Sequence, residues 1–272
     1  MKRRWMKTVV TVVVAGIATA SCSGSGNDGG AEAAEARDYV ALGDSYAAGL
    51  GAGNYADTEC YRSTDSSYPR LWAKSRPAGT IGEVTDSTCS GAVIHEVRTT
   101  QLRALDEKTG WVTVTVGGND VGWSQTLQQC MLGNDLTCGS ATRTAASTAE
   151  TVLPEQLDGL YTAIKERAPN AKVYVLGYPH LLASGTGVKC ESLSAARREA
   201  LNTGADTLNE LIKARAANAG FTFVDVREIF DGHEVCTATP WIHAVRDQIA
   251  ESFHPTADGQ KAYATALTAV TG

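Results

Sequence analysis

The sequence predicts an α/β protein whose mainly parallel sheet is covered by helices on both faces. Three observations lead there. Short β-branched or aromatic runs recur along the chain, helical periodicities lie between them, and glycines close the runs at their carboxyl ends. Strands that alternate with helices pair in parallel, and the helices then cover both faces. The chain has 272 residues, 43% hydrophobic and 20% charged, which suits one large domain with one core.

Four segments read as buried strands: Tyr39–Leu42, Trp111–Val116, Lys172–Leu176 and Phe221–Val226. Two helices stand out between them. Leu153, Leu157, Leu160, Tyr161 and Ile164 share one face and end before Pro169; Leu201, Leu208, Leu211 and Ile212 do the same before Gly220. Val93–Leu105 and Pro255–Val270 carry weaker helical patterns, while Asn54–Ser67 and Trp123–Thr137 read as loops. No internal repeat is present. Ligands of such sheets sit at the carboxyl ends of the strands. Those ends read Gly43-Asp44-Ser45, Gly117-Gly118-Asn119-Asp120 and Gly177-Tyr178-Pro179.

The N-terminus does not belong to this domain. Lys2, Arg3, Arg4 and Lys7 precede an uncharged stretch from Thr8 to Ala20. A basic n-region before a short apolar h-region marks residues 1–21 as an export signal. The stretch is shorter than the roughly 20 residues a membrane span needs. Small residues lead into Cys22, which fits the lipobox of bacterial lipoproteins, although Thr19 stands where Leu is usual. Residues 22–36 are rich in Gly, Ser, Ala and Glu and read as a flexible tether, leaving 37–272 as the folded domain. These features predict an exported protein, either anchored to the outer face of the cell membrane through Cys22 or secreted. Residues 1–21 hold four basic and no acidic residues, so their loss moves the formal charge from -6 to -10. A chain this acidic has no electrostatic basis for binding nucleic acid.

Six cysteines remain beyond Cys22, an even number that implies disulfides in an exported chain. Nearness along the chain favours Cys60–Cys89, Cys130–Cys138 and Cys190–Cys236. No CxxC or HxxxH spacing supports a zinc site.

A serine hydroxyl is a weak nucleophile until a base takes its proton, and acyl transfer also needs donors for the oxyanion. Ser45 follows the first strand. Of the five histidines, His254 stands in Glu251-Ser252-Phe253-His254-Pro255 before the last helix, with an acid three residues upstream. Asn119 follows two glycines at a strand end, and Gly91, in Thr88-Cys89-Ser90-Gly91-Ala92, offers an unobstructed backbone N–H. Each feature alone reads as a turn, a cap or a structural histidine.

Together and in this order, GDSYAAG, CSGA, GGND and FHPTADG resemble the four sequence blocks of the SGNH hydrolases, or GDSL lipases and esterases. The likeness runs from about Tyr39 to Gly259 and is nearest to an exported actinobacterial branch with three sequential disulfides. It implies a three-layer α/β/α, flavodoxin-like sandwich. It also implies hydrolysis of carboxylic esters, fatty-acyl or lipid, by a monomer without metal or cofactor. Ser45 is then the nucleophile and His254 the base. The N–H groups of Ser45 and Gly91 and the Asn119 amide hold the oxyanion. The family's usual block reads DxxH, whereas here Glu251 replaces the Asp. Either Glu251 or the carbonyl of Ser252 then orients His254. Asp44 and Asp120 are expected to brace their turns. No GxSxG elbow is present, which excludes the ordinary α/β-hydrolase arrangement. Two other functions share part of the pattern: a non-catalytic cell-envelope binding lipoprotein, and a carbohydrate deacetylase-type esterase using the same site.

Overall fold

A computed structural model describes residues 36–272 except 186 and 191–192. The export signal, Cys22 and all of the tether but residue 36 lie outside the described residues.

The domain begins with β1 (Arg37–Gly43), a single helical turn α1 (Ser45–Ala48), α2 (Tyr68–Ser75) and β2 (Ile81–Asp86). Then come α3 (Ile94–Thr99), β3 (Thr109–Thr115), α4 (Trp123–Leu132), α5 (Asp135–Thr151) and α6 (Leu153–Arg167). The chain ends with β4 (Lys172–Leu176), α7 (Ala195–Asn218), β5 (Thr222–Val224) and α8 (Ala257–Thr271). The five strands lie in the order β2-β1-β3-β4-β5, and every neighbouring pair is parallel. Helices α2 and α8 pack together, as do α3 with α6 and α6 with α7. Helices thus cover both sides of the sheet.

The central strands are buried on both faces because both faces are covered. Tyr39, Ala41, Leu42, Val112 and Val114 are all fully buried. The α6 stripe of Leu157, Leu160 and Ile164 is likewise fully buried. Ser194 caps α7 by accepting a hydrogen bond from the Arg197 amide, and Thr256 caps α8 through the Gly259 amide. Pro255 therefore lies just ahead of the last helix rather than in its first turn.

Three elements depart from the sequence reading. The edge strand β2 went unread because IGEVTD is largely solvent-exposed and lacks an apolar run. The stretch 123–137 is not a loop, since α4 and the first turn of α5 occupy most of it. Helix α4 buries only Thr126 and Cys130 fully, so its helical period is weak. The 93–105 pattern divides into α3 and a 3-10 turn, Gln101–Ala104.

Three disulfides close the loops: Cys60–Cys89, Cys130–Cys138 and Cys190–Cys236. This bonding fits an exported protein.

Candidate active site

β1 ends in a glycine because no other residue fits. Gly43 has φ +130°, and a Cβ there would stand 2.3 Å from the Thr115 carbonyl oxygen. Its amide donates to Gln101 Oε1 (2.7 Å), and its carbonyl accepts from Gln101 Nε2 (2.9 Å). The next amide, Asp44 N, donates to the Thr115 carbonyl at 2.9 Å. The turn after β1 is thus tied to both β3 and the segment after α3.

Asp44 then caps α1. Its Oδ1 accepts from the Tyr46 amide (2.9 Å), and its Oδ2 accepts from the Tyr178 hydroxyl (2.6 Å). Burial raises the Asp44 carboxyl to about 7, and the Tyr178 and Tyr46 donors pull the other way. The Tyr178 hydroxyl also accepts from the Gly118 amide at 3.1 Å, which links the GDS turn to the GGND loop. Ser45 is therefore the first residue of a fixed helical turn, with its hydroxyl directed at His254.

Ser45 Oγ lies 2.7 Å from His254 Nε2, and His254 Nδ1 lies 3.0 Å from the Ser252 carbonyl oxygen. A carbonyl only accepts, so Nδ1 carries the proton and Nε2 is free to accept from the serine. The loop that presents the ring is held from several sides. Tyr46 Oη donates to the Phe253 carbonyl (2.8 Å), and Gln260 Nε2 donates to the Tyr46 carbonyl (3.0 Å). The His243 amide donates to the His254 carbonyl at 2.9 Å. Phe253 has φ +60°, uncommon for a bulky residue, and it turns the Ser252 carbonyl back under the imidazole. Burial lowers the His254 pKa to about 4, against the hydrogen bond to Ser252. The ring is therefore neutral at pH 7.

Glu251 does not bond the imidazole. Its Oε1 accepts from the Tyr55 hydroxyl at 2.7 Å, and its Oε2 lies 3.6 Å from Arg246 Nη2. Of the two sequence-derived partners for His254, the ring's hydrogen bond goes to the Ser252 carbonyl.

Gly91 has φ +84°, with open space where a Cβ would stand. A left-handed backbone, not crowding, favours glycine here. Asn119 Nδ2 donates to the Ala92 carbonyl at 3.0 Å, which leaves the second N–H of that amide for another acceptor. Asp120 braces the same junction by accepting from the Ile94 amide at 3.0 Å. Ser45, Gly91, Asn119 and His254 all line one cavity of about 800 Å³. Leu50, Leu127, Met131 and Leu208 are among its walls. Three of the other histidines make contacts of their own: His180 pairs with Asp206 at 2.8 Å, His233 stacks on Trp241, and His243 Nε2 meets the Gly51 carbonyl at 2.8 Å; His95 lies in α3.

Four supporting residues escaped the sequence reading: Gln101, Tyr178, Tyr55 and Gln260. Only Tyr178 carried a signal, its place at the carboxyl end of β4.

The chain and its fold have known relatives. The GDSL-like lipase/acylhydrolase family model matches residues 41–262. The chain is 44% identical over 246 residues to Lipase 1 of Streptomyces coelicolor, which covers 89% of this chain and 90% of that one. Its structure resembles the extracellular lipase from Streptomyces rimosus (TM-score 0.82, 43% identity, 87% of this chain and 100% of that one). It also resembles phospholipase A1 from Streptomyces albidoflavus NA297 (TM-score 0.81, 38% identity, 86% of this chain and 99% of that one). The chain belongs to the GDSL-like lipase/acylhydrolase family. It is a carboxylic ester hydrolase.

Proposed function

We propose that the protein hydrolyses fatty-acyl or lipid esters through an acyl-enzyme on Ser45, with His254 as the base. The observation that carries this is the 2.7 Å approach of Ser45 Oγ to a neutral His254 Nε2 in an apolar-walled cavity. Ser45 Oγ attacks the ester carbonyl carbon while its proton passes to His254 Nε2. The N–H groups of Ser45 and Gly91 and the free N–H of Asn119 Nδ2 receive the negative oxygen. Collapse breaks the ester C–O bond, and His254 returns the proton to the departing alcohol. Water then repeats the sequence on the acyl-enzyme, giving up its proton to His254 and releasing the acid and Ser45.

The cavity volume falls in the range of roughly 300–1,000 Å³ typical of small-molecule sites. Its leucine-rich walls favour an acyl chain over the polar face of a sugar. That preference speaks against the carbohydrate deacetylase reading, and the paired Ser45 and His254 speak against a purely binding lipoprotein. The Streptomyces lipases and phospholipase point to the same substrate class. The leader, the small residues before Cys22 and the three disulfides support an exported protein, tethered to the membrane through a lipid on Cys22 or released from it.

The pH profile tests the base. Burial lowers the histidine, so its basic form persists well below pH 6.5 and is lost only as pH falls through about 4. The kcat/KM for p-nitrophenyl acetate, read at the isosbestic wavelength of the nitrophenol, stays level down to about pH 5 and then declines. An acid limb centred at the ordinary histidine value contradicts the site.

A second test separates Glu251 from Ser252. Glu251→Ala leaves the Nδ1–carbonyl bond in place, so kcat falls no more than a few-fold. It also removes a negative charge that favours imidazolium, so the acid limb moves lower. A loss on the order of 10⁴, the scale seen when a histidine-orienting carboxylate is neutralised, contradicts this assignment.

A further inference from the structure

Four large apolar side chains are the most exposed among the described residues: Leu136 (84%), Leu132 (81%), Ile249 (70%) and Val245 (55%). They are not scattered. Leu132, Val245 and Ile249 line the cavity that contains Ser45 and His254, and they approach it from two separate segments. Leu136 follows in the first turn of α5. Leu132 and Leu136 both lie inside the loop closed by Cys130–Cys138, so the pair is pinned to the fold rather than left to collapse inward.

We propose that this rim is a docking face for a neutral or zwitterionic lipid surface, from which an acyl ester enters the cavity. The proposal rests on the ester-hydrolase reading above. Two observations select the occupant. First, the face is continuous with the acyl cavity, so a lipid whose ester reaches Ser45 leaves the surface it came from lying against these side chains. Second, the face has no cationic excess. Val121 to Asn134 hold no Asp, Glu, Lys or Arg in a chain that is 20% charged. Asp135 is neutralised by Arg197 at 3.2 Å, and Arg197 also donates to the Cys130 and Gly133 carbonyls. Next to Val245, Arg246 lies 3.6 Å from Glu251, and Asp247 follows it. Exposed apolar side chains flanked by paired charges and a small acidic surplus, Asp247 and the cavity-lining Glu59, gain by leaving water at a lipid surface and have no pull toward an anionic one.

The test uses the mature chain, without residues 1–21 and carrying Cys22→Ser, so that neither the apolar leader nor a lipid on the N-terminus holds it to vesicles. Leu136 is chosen because it lies outside the cavity lining. Phosphatidylcholine vesicles sediment the parent protein, and Leu136→Asp weakens that partition about tenfold or more, as expected for losing a buried leucine side chain. Turnover of a long-chain ester carried in the vesicles falls in parallel, while kcat/KM for dissolved p-nitrophenyl acetate stays within about twofold. Leu136→Ala gives a smaller shift in the same direction, and equal melting temperatures show that the variants are folded. Parent protein that ignores the vesicles, or Leu136→Asp that binds them as the parent does, overturns the proposal. So does a dimer in gel filtration that Leu136→Asp dissolves, because the face then joins two copies. Vesicle binding that Leu136→Asp abolishes, in a protein that hydrolyses no ester, upholds the docking face and defeats the ester reading instead.

Discussion

Replacing Ser45 with alanine lowers kcat/KM for a p-nitrophenyl ester by on the order of 10³-fold or more. The substitution removes the atom that forms the acyl bond and touches little else. Asp44 still caps α1, since its bonds run to the Tyr46 amide and the Tyr178 hydroxyl rather than to the serine side chain. The lost hydroxyl made one hydrogen bond, to His254, worth about 1 kcal/mol, so the fold survives. Residual turnover comes from the oxyanion donors and binding alone. Steady-state kinetics beside a thermal melt make the comparison. An alanine variant that keeps most of its rate removes the acyl-enzyme from the mechanism.

Replacing Asn119 with alanine costs roughly 10²–10³-fold, almost all of it in kcat. Its amide acts on charge that develops only as the carbonyl becomes tetrahedral, so substrate binding is spared. One of its two N–H groups is already spent on the Ala92 carbonyl, 3.0 Å away. Loss of that bond slackens the contact between the GGND loop and the loop bearing Gly91. Asp120 still holds the Ile94 amide and keeps the two loops joined. A KM that rises as much as kcat falls indicates that Asn119 shapes the pocket rather than stabilising the oxyanion.

The legible part of the site consisted of residues whose chemistry is local. Gly43 must be glycine because the Thr115 carbonyl crowds it, and Gly91 favours glycine because its φ is positive. Gly43 announces itself at a strand end, and Gly91 by its place in a short Ser-Gly-Ala turn. The central strands were legible for the same local reason, since burial on both faces demands an apolar run. β2 was missed because an edge strand exposed to water needs no such run. Helix α4 was missed because, Thr126 and Cys130 apart, it presents its side chains largely to solvent and to the cavity.

The supporting network was illegible because its partners are far apart in sequence. Tyr178 reaches Asp44 across 134 residues, Gln101 reaches Gly43 across 58, and Tyr55 reaches Glu251 across 196. No period or spacing records those meetings. The choice between Glu251 and Ser252 depended on one backbone angle, φ +60° at Phe253, and on Tyr55 engaging the carboxylate first. The sequence left two groups as candidates to orient His254, and in the fold the imidazole Nδ1 lies 3.0 Å from the Ser252 carbonyl oxygen.

The central claim is that His254 makes the Ser45 hydroxyl nucleophilic. Its most direct test is labelling with a fluorophosphonate, followed by intact mass and peptide mapping. One phosphonyl group attaches to the peptide containing Ser45. It is absent from Ser45→Ala and greatly slowed in His254→Ala. Labelling at any other residue, or unslowed labelling in His254→Ala, contradicts the account.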